Sequence, residues 1–133
     1  MKDFRKLEIW KKGIALAKLV YSLTNQLPQK ELYSLVSQMN RCAVSIPSNI
    51  AEGCSRNSDM ELKRFIEIAL GSAFELETQL ILTNELYQLE DMTINNELTQ
   101  LQKMINSYHS KLKATPNTNY LQSSTANHQS PIT

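Results

Sequence analysis

The sequence predicts an all-α protein, an antiparallel up-and-down four-helix bundle, and two observations support this fold class. Apolar residues recur at spacings of three and four along four successive segments, which is the period of an α-helix with one buried face. Three glycines and four prolines in 133 residues leave little material for the turns of an all-β fold. The length fits one domain, which we predict over residues 1–115.

The first helix is predicted at about residues 4–26 and carries two adjacent apolar series. One series contains Leu7, Trp10, Ile14, Ala17 and Tyr21, and the other contains Ile9, Gly13, Leu16, Val20 and Leu23. Together they cover about half of the helix circumference, which is more than one bundle core needs. The excess predicts an interface between copies of the chain. Its predicted members are Ile9, Gly13, Leu16, Val20, Leu23 and, from the third helix, Ile66.

The second helix is predicted to start at Pro28, which fits a first helical turn, and to end near Gly53 or Cys54. Pro47 lies inside this segment and lacks a backbone N–H, so we expect a kink near it. Gly53 is a candidate left-handed cap at the helix end.

The third helix is predicted to start near Asp59, because Ser58 and Glu61 have the spacing of a capping box. Gly71 lies in its middle within a group of small residues, which predicts close approach of a neighbouring helix. The fourth helix is predicted at about residues 93–114, with one narrow apolar stripe formed by Ile94, Leu98, Leu101, Ile105, Tyr108 and Leu112. Residues 116–133 are rich in Asn, Thr, Ser and Gln and are predicted to form a disordered tail.

The net charge of +1 is too small to capture polyanions at long range, but the charge is unevenly distributed. Residues 1–20 hold six Lys or Arg and two acids, whereas residues 57–92 hold two and eight. This asymmetry favours pairing of a basic helix with an acidic one, and it also allows a local basic patch. The candidate nucleic-acid contacts are Lys2, Arg5, Lys6, Lys11 and Lys12.

Residues for catalysis or metal binding are sparse, so we expect no enzyme, no cofactor and no small-molecule substrate. His109 and His128 are the two histidines, and neither follows a Glu by three residues, as a di-iron site requires. Cys42 and Cys54 would be roughly 18 Å apart on one helix, so they should be free thiols, as in a reducing cytoplasm. The charged N-terminus resembles neither a signal peptide nor a membrane span, which also predicts a cytoplasmic protein.

Three stretches of the sequence form a recognisable pattern. They are Phe4-x-x-Leu7-x-Ile9-Trp10, the segment from Glu31 to Arg56, which contains Ser45-Ile46-Pro47-Ser48-Asn49-Ile50-Ala51-Glu52-Gly53, and Phe65-x-x-x-Ala69-x-Gly71-Ser72-x-x-Glu75-Leu76. Together they resemble one known family, the 23S ribosomal RNA intervening-sequence proteins, also called four helix bundle proteins. The resemblance covers residues 4–115. Ser34, Asn40 and Cys54 depart from the family pattern, and the uncharged Asn40 weakens the case for nucleic-acid binding. The residues assigned to the motif are Arg41, Ser45, Pro47, Ser48, Asn49, Glu52, Gly53, Arg56, Gly71 and Glu75.

The resemblance implies a bundle that assembles into a ring-like homopentamer. It also implies a distant similarity to accessory proteins of diversity-generating retroelements, which bind a reverse transcriptase and nucleic acid. Four motif residues are expected to form a buried ion-pair network near Pro47, in a structural role rather than in ligand contact: Arg41, Glu52, Arg56 and Glu75.

Two hypotheses for the function remain open at this point. In the first, an oligomer binds RNA or a ribonucleoprotein partner, such as an RNA-binding enzyme, through basic residues repeated around the ring. In the second, the oligomer is a protein–protein adaptor or scaffold with no nucleic-acid binding, which agrees with its near-neutral charge.

Overall fold

The computed structural model describes residues 1–113, which form four α-helices and contain no strand. The predicted tail at residues 116–133, together with His128, lies outside the described residues. The α-helices are α1 (Glu8–Thr24), α2 (Ser37–Cys54), α3 (Asp59–Tyr87) and α4 (Met92–Lys111). The predicted four-helix fold is therefore confirmed.

The helices occupy the corners of a square in chain order. α1 packs against α2, α2 against α3, α3 against α4, and α4 returns to α1, with α2 and α3 making the most extensive contact. This up-and-down arrangement is typical of bundles with short connections. As a result, the side of the bundle formed by α1 and α2 lies opposite the side formed by α3 and α4.

Each helix contributes one apolar stripe to a single continuous core. The stripe of α4 is the narrow one predicted from sequence, and its members Ile94, Leu98, Leu101 and Ile105 are fully or almost fully buried. α3 contributes Leu62, Ile66, Ala69, Ala73 and Leu76, all of them buried. Because the four stripes meet along the bundle axis, one chain on its own forms a sizeable core.

The start of α3 has one half of the predicted capping box, the bond accepted by the Ser58 side chain. The Ser58 Oγ accepts a hydrogen bond from the Glu61 N–H at 3.2 Å, and the two side chains are also hydrogen-bonded at 3.3 Å. At the start of α4, an Asp91 carboxylate oxygen accepts from the N–H groups of Thr93 and Ile94. Each cap satisfies backbone donors that have no partner within the helix.

The prediction that Gly53 forms a left-handed cap is wrong. No glycine has positive φ among the described residues, and Gly53 is the penultimate residue of α2. A Cβ at Gly53 would lie 2.8 Å from Leu62 Cδ1 and 2.8 Å from Phe65 Cβ. The glycine is therefore required by close packing between the end of α2 and the start of α3.

Pro47 lies inside α2, which is helical on both sides of it, and its ring is buried against α1. A Cβ at Gly13 would lie 3.2 Å from the Pro47 Cβ, so the glycine of α1 provides space for the proline of α2. The Asn49 Nδ2 donates to the Ser45 carbonyl at 2.8 Å and so adds a local bond next to the proline. The predicted kink at Pro47 stays a prediction.

The segment before α2 is helical but irregular. Pro28 has extended backbone and precedes a 3-10 turn at Gln29–Glu31, followed by a π-helical turn at Leu32–Val36. The predicted start of the second helix at Pro28 is therefore too early for α2, because these two irregular turns precede the regular α-helix that starts at Ser37. The Glu31 carboxylate accepts hydrogen bonds from Ser34 and from Tyr87 of α3, so this segment is attached to the end of α3.

Candidate assembly faces and the N-terminal basic segment

The residues predicted to form the oligomer interface are buried inside a single chain, so that prediction is wrong. Leu16 is 1% exposed and Ile66 0% exposed, and the other four are buried as well: Ile9, Gly13, Val20 and Leu23. They form the core because they face the centre of the square of helices. The alternative series of α1 is the one that faces outward.

The α1–α2 face is the uncovered apolar surface on one side of the bundle. We define it by Trp10, Ile14, Ala17 and Tyr21 of α1 and by Val44 and Ala51 of α2. Ile14 is 40% exposed and Tyr21 is 47% exposed. Two shallow hollows lie along this face, one around Ile14 and Pro47 and the other around Tyr21 and Val44.

The α3–α4 groove is the corresponding apolar surface on the opposite side. Its largest hollow has a volume of about 520 Å³ and is lined by Leu70, Gly71 and Phe74 of α3 and by Gln102, Asn106 and His109 of α4, with Glu67 and Lys103 at its edges. A second hollow further along α3 is lined by Ile81 and by three carboxylates, Glu77, Glu85 and Glu90. We use the name α3–α4 groove for both hollows together.

Gly71 is exposed at the floor of this groove, so the predicted close approach of a neighbouring helix does not occur at this residue within the described chain. A Cβ added at Gly71 would meet no atom within 4 Å. The neighbouring small residues Ala69, Ser72 and Ala73 are buried, so the prediction of close packing holds for them. Nothing within the described part of the chain requires a glycine at position 71.

The N-terminal basic segment is held against the bundle near the end of α2. The Lys2 N–H donates to the Cys54 carbonyl at 3.0 Å, and residues Phe4–Lys6 form a 3-10 turn capped by Asp3. The Phe4 ring packs edge-on against Trp10, with ring centroids 5.2 Å apart. The candidate nucleic-acid contacts therefore belong to an ordered segment that adjoins the α1–α2 face.

Three of the five candidate nucleic-acid contacts are paired with acids. Arg5 bonds to Asp3 at 3.3 Å, Lys11 to Glu8 at 3.3 Å, and the partly buried Lys12 to Glu97 of α4 at 3.4 Å. Lys2 and Lys6 are exposed and carry no ion pair within residues 1–113. This pairing reduces the local positive field, because each neighbouring carboxylate cancels one cation.

The motif residues of α2 form a polar seam along the boundary with α3. The Ser45 and Ser72 hydroxyls are hydrogen-bonded at 2.8 Å, and the Asn49 Nδ2 donates to the Ser45 Oγ at 2.9 Å. The seam therefore joins α2 and α3 through side chains. Ser48 is exposed on the same helix.

The expected buried ion-pair network around Pro47 is not formed. Arg56 and Glu52 make one exposed bridge at 3.1 Å, and the Arg56 guanidinium lies over the Phe65 ring at 4.8 Å. Arg41 and Glu75 are exposed and take part in no ion pair within the described chain. A sequence pattern shows that these charges occur on facing helices, but it does not show that their side chains point outward.

The side chains that could take part in catalysis or metal binding are either buried or hydrogen-bonded to a neighbour. Cys42 and Cys54 are free and buried, and burial raises the pKa of each thiol, which disfavours the nucleophilic thiolate. The His109 Nε2 is hydrogen-bonded to a Glu67 carboxylate oxygen at 2.7 Å. The Gln79 Nε2 lies 3.5 Å from the Cys42 sulfur, and its Oε1 has no partner. We find no group of three metal-binding side chains among residues 1–113.

Sequence analysis did not identify the α1–α2 face, or most of the α3–α4 groove, as exposed apolar surfaces. It identified both apolar series on α1 but assigned the inner one to the interface. The sequence contained one usable signal, the residue types of the two series. Gly13 and Leu16 belong to the series that faces the bundle centre, whereas the other series ends in Tyr21, whose hydroxyl favours a position in contact with water. Deciding which of the two series is buried requires the positions of the neighbouring helices.

The fold and the surfaces define a class: a small helical bundle whose uncovered apolar sides, rather than an internal cleft, are its main candidate sites. Within that class, a sequence model of the 23S rRNA-intervening sequence protein family matches residues 5–107. The chain therefore belongs to this family, as the motif resemblance predicted. No curated protein matches the chain. None of the helices within residues 1–113 combines the length and the hydropathy needed to cross a bilayer.

Proposed function

We propose that this protein is a non-catalytic, self-assembling helical bundle that acts by binding a macromolecule. The observation that carries the proposal is the pair of apolar surfaces left uncovered on opposite sides of the chain, the α1–α2 face and the α3–α4 groove. Exposed apolar area of this kind is unfavourable in water and is typical of surfaces that contact another protein. The hydrophobic core is complete within one chain, so the chain does not need a second copy in order to form its core.

The absence of catalysis is part of the proposal and has a physical basis in the described residues. Both thiols are buried with raised pKa values, so a thiolate nucleophile is disfavoured at neutral pH. His109, the natural candidate for a general base, is bonded to Glu67 at the edge of a shallow groove.

Sedimentation velocity or multi-angle light scattering tests the assembly. We expect a mass several times that of the 15.2 kDa chain, and a ring-like homopentamer is the specific expectation from the family. Ile14→Glu should reduce the mass, because it places a charge on the α1–α2 face. Ile68→Glu is the matched control, since Ile68 is exposed to a similar degree on the part of α3 that faces α2. A monomeric wild type at all concentrations would contradict the proposal.

We infer RNA, free or in a ribonucleoprotein, as the first candidate partner. Two observations support this inference: the family name, and the ordered basic segment with unpaired Lys2 and Lys6. An oligomer would repeat this modest cluster several times and so would bind through multivalency rather than through one strong site. Counterion release would then make binding strongly dependent on salt.

A protein adaptor is the second candidate, and the ion pairs at Arg5, Lys11 and Lys12 favour it. Both candidates are tested by filter binding of a structured RNA at increasing salt. The RNA hypothesis expects affinity that falls steeply with salt and is weaker in Lys6→Gln, whereas Lys30→Gln at the other end of the bundle is the control. Absence of binding at low salt would eliminate RNA and leave the adaptor.

A further inference from the structure

Charge is unevenly distributed between the two ends of the bundle. Because the helices alternate in direction, the starts of α1 and α3 and the ends of α2 and α4 lie together at one end. We name it the basic end and define it as residues 1–14, 48–65 and 105–113, which are the two outermost turns of each helix with the adjoining segments. It holds ten Lys or Arg and five Asp or Glu, whereas the opposite end, residues 18–43 and 81–98, holds three and five. The net charge of +1 conceals this separation.

Two chain segments meet at the basic end, one on each side of the connection between α2 and α3. The Lys2 N–H donates to the carbonyl of Cys54, the last residue of α2, at 3.0 Å. The Lys113 N–H donates to a carboxylate oxygen of Asp59, the first residue of α3, at 3.3 Å. In the last turns of α4, burial raises the pKa of the Tyr108 hydroxyl, and the neighbouring Cys54 and Asp59 raise it further. The N-terminal basic segment and the end of α4 are therefore anchored at the same place.

Four lysines in these two segments carry charges that no neighbouring acid neutralises. Within residues 1–113, the lysines that are exposed and make no ion pair include Lys2, Lys6, Lys111 and Lys113. By contrast, three other cations of the N-terminal segment are paired with carboxylates. The free side-chain charge of the two segments is therefore shared equally, with two lysines in each.

We propose that the basic end is a phosphate-binding surface for RNA, in which Lys111 and Lys113 at the end of α4 act together with Lys2 and Lys6. This inference rests on the RNA binding proposed above, and it adds a second group of contacts and the end of the molecule that faces the RNA. Lysine ammonium groups attract phosphate oxygens as point charges, and contact with several phosphates releases the counterions of the RNA. The acidic opposite end repels the same polyanion, so RNA should approach from one end only.

The residue types at the basic end favour contact with phosphates over contact with bases. Proteins that bind single strands through their bases use exposed aromatic rings on which the bases stack. The four Phe, Trp and Tyr rings of the basic end are all partly buried: Phe4, Trp10, Phe65 and Tyr108. Phe4 and Trp10 pack against each other, and the Arg56 guanidinium lies over the Phe65 ring. RNA should therefore bind with little preference for sequence.

Two charge-matched double variants of the full-length chain test this surface. Lys111→Gln with Lys113→Gln removes two cations from the basic end, whereas Lys18→Gln with Lys30→Gln removes two exposed cations from the opposite end. Fluorescence anisotropy measures the affinity of each variant for a labelled single-stranded RNA at several salt concentrations. At about 0.1 M salt the first variant should bind about 25-fold more weakly, because each lost contact removes about 0.7 from the slope of log affinity against log salt. The second should differ from wild type by less than about twofold, because charges more than about 10 Å apart are screened.

Protection of lysines from acetylation gives a second measurement, made on the wild-type chain. The chain is acetylated with and without a saturating amount of the same RNA, and mass spectrometry quantifies the modification of each lysine. RNA should protect the four free lysines of the two terminal segments together and should leave Lys18 and Lys30 reactive. Circular dichroism and sedimentation of both double variants should match wild type, since all four substituted positions are exposed.

The outcomes separate this inference from the proposed function. If RNA binds and its affinity depends on Lys6 but not on Lys111 and Lys113, the shared surface is overturned, while RNA binding stands. Equal loss of affinity in the two double variants would show a net-charge effect and would also overturn a surface confined to one end. No binding of RNA at low salt, with or without attachment to phosphatidylserine vesicles, would overturn both this inference and the RNA candidate.

Discussion

At the scale of single residues, the surroundings of the missing Cβ differ among three glycines that lie on three different helices. Gly13 accommodates the Pro47 ring, Gly53 accommodates Leu62 and Phe65, and a Cβ added at Gly71 would meet no atom within 4 Å in the described chain outside its own helix backbone. The sequence shows only that a flexible residue interrupts a helical pattern. Whether that residue is needed depends on which atoms lie near its missing Cβ, and this is a property of the packed structure.

We predict opposite effects on stability from alanine at two of these positions. Gly53→Ala should lower the free energy of unfolding by about 1–3 kcal/mol, because its Cβ would overlap Leu62 and Phe65. Gly71→Ala should raise it by about 0.5–1 kcal/mol, because the new Cβ meets open space and restricts the unfolded chain. Urea unfolding of both variants measures the difference, and the Ile14→Glu background is used because it should prevent the proposed assembly. Equal effects would contradict the packing described for Gly53.

The two apolar series of α1 are predicted to respond differently to truncation. Leu16→Ala should reduce stability by about 2–5 kcal/mol, because Leu16 is 1% exposed and its loss leaves a cavity. Ile14→Ala should change stability much less and reduce the assembled mass instead. Urea unfolding and sedimentation of both variants give the comparison. A change of mass without loss of stability in Leu16→Ala would restore the interface that sequence analysis assigned to that series.

At the scale of helices and their connections, the caps and the irregular segment before α2 hold the bundle ends together. Hydrogen bonds from Ser34 and Tyr87 hold the pKa of the Glu31 carboxyl below its usual value of 4.5. The same bond with Glu31 raises the pKa of the Tyr87 hydroxyl. One carboxylate thus connects the π-helical turn to Tyr87, the last residue of α3. The next residue, Gln88, caps this helix in the left-handed conformation.

The shifted pKa of Glu31 predicts a pH-dependent contribution to stability. Because the folded pKa is lowered, the contribution is fully present above the unfolded value of 4.5 and is lost as pH falls through the folded pKa. Wild type should therefore be more stable than Glu31→Gln at pH 7, and the difference should vanish on acidification. Thermal unfolding of both proteins between pH 7 and pH 3 measures it. A difference that stays constant with pH would show that the carboxylate charge plays no part.

The hydrogen bond that caps the start of α3 predicts how substitution of Ser58 affects stability. Ser58→Ala should reduce the free energy of unfolding by about 0.5–2 kcal/mol, because the Glu61 N–H loses its acceptor. Ser58→Asp should retain most of the stability, since its carboxylate can accept the same bond near the positive end of the helix. Chemical denaturation of the two variants distinguishes loss of the cap from a general effect of substitution.

At the scale of the whole molecule, the square of helices separates the surfaces by role. The centre holds the core, two opposite sides hold the uncovered apolar surfaces, and the side between α2 and α3 carries the polar seam. The family match over residues 5–107 spans all four helices, so it applies to the whole bundle. The charge asymmetry along the chain becomes a difference between opposite sides of this bundle.

The charge difference predicts that salt modulates assembly. Arg41→Glu should weaken the proposed association at low ionic strength, because it replaces a cation beside the α1–α2 face with an acid in a chain whose third helix is already acidic. The effect should shrink in high salt, where charges interact only over a few ångströms. Sedimentation of wild type and Arg41→Glu across salt concentrations tests this, with Arg64→Glu as a charge-matched control on the exposed side of α3. Equal weakening in both would indicate a net-charge effect.

The sequence by itself determined the four helices, the cap at Ser58 and the narrow core stripe of α4, because these depend on periodicity and on contacts between residues close in the chain. The family motif was also visible in sequence. Only the tertiary structure decided which series of α1 is buried, why Gly53 is needed and why Gly71 is not, and that Arg41 and Glu75 point outward. These depend on how each helix is rotated about its axis, and that rotation is set by the packing of all four helices together.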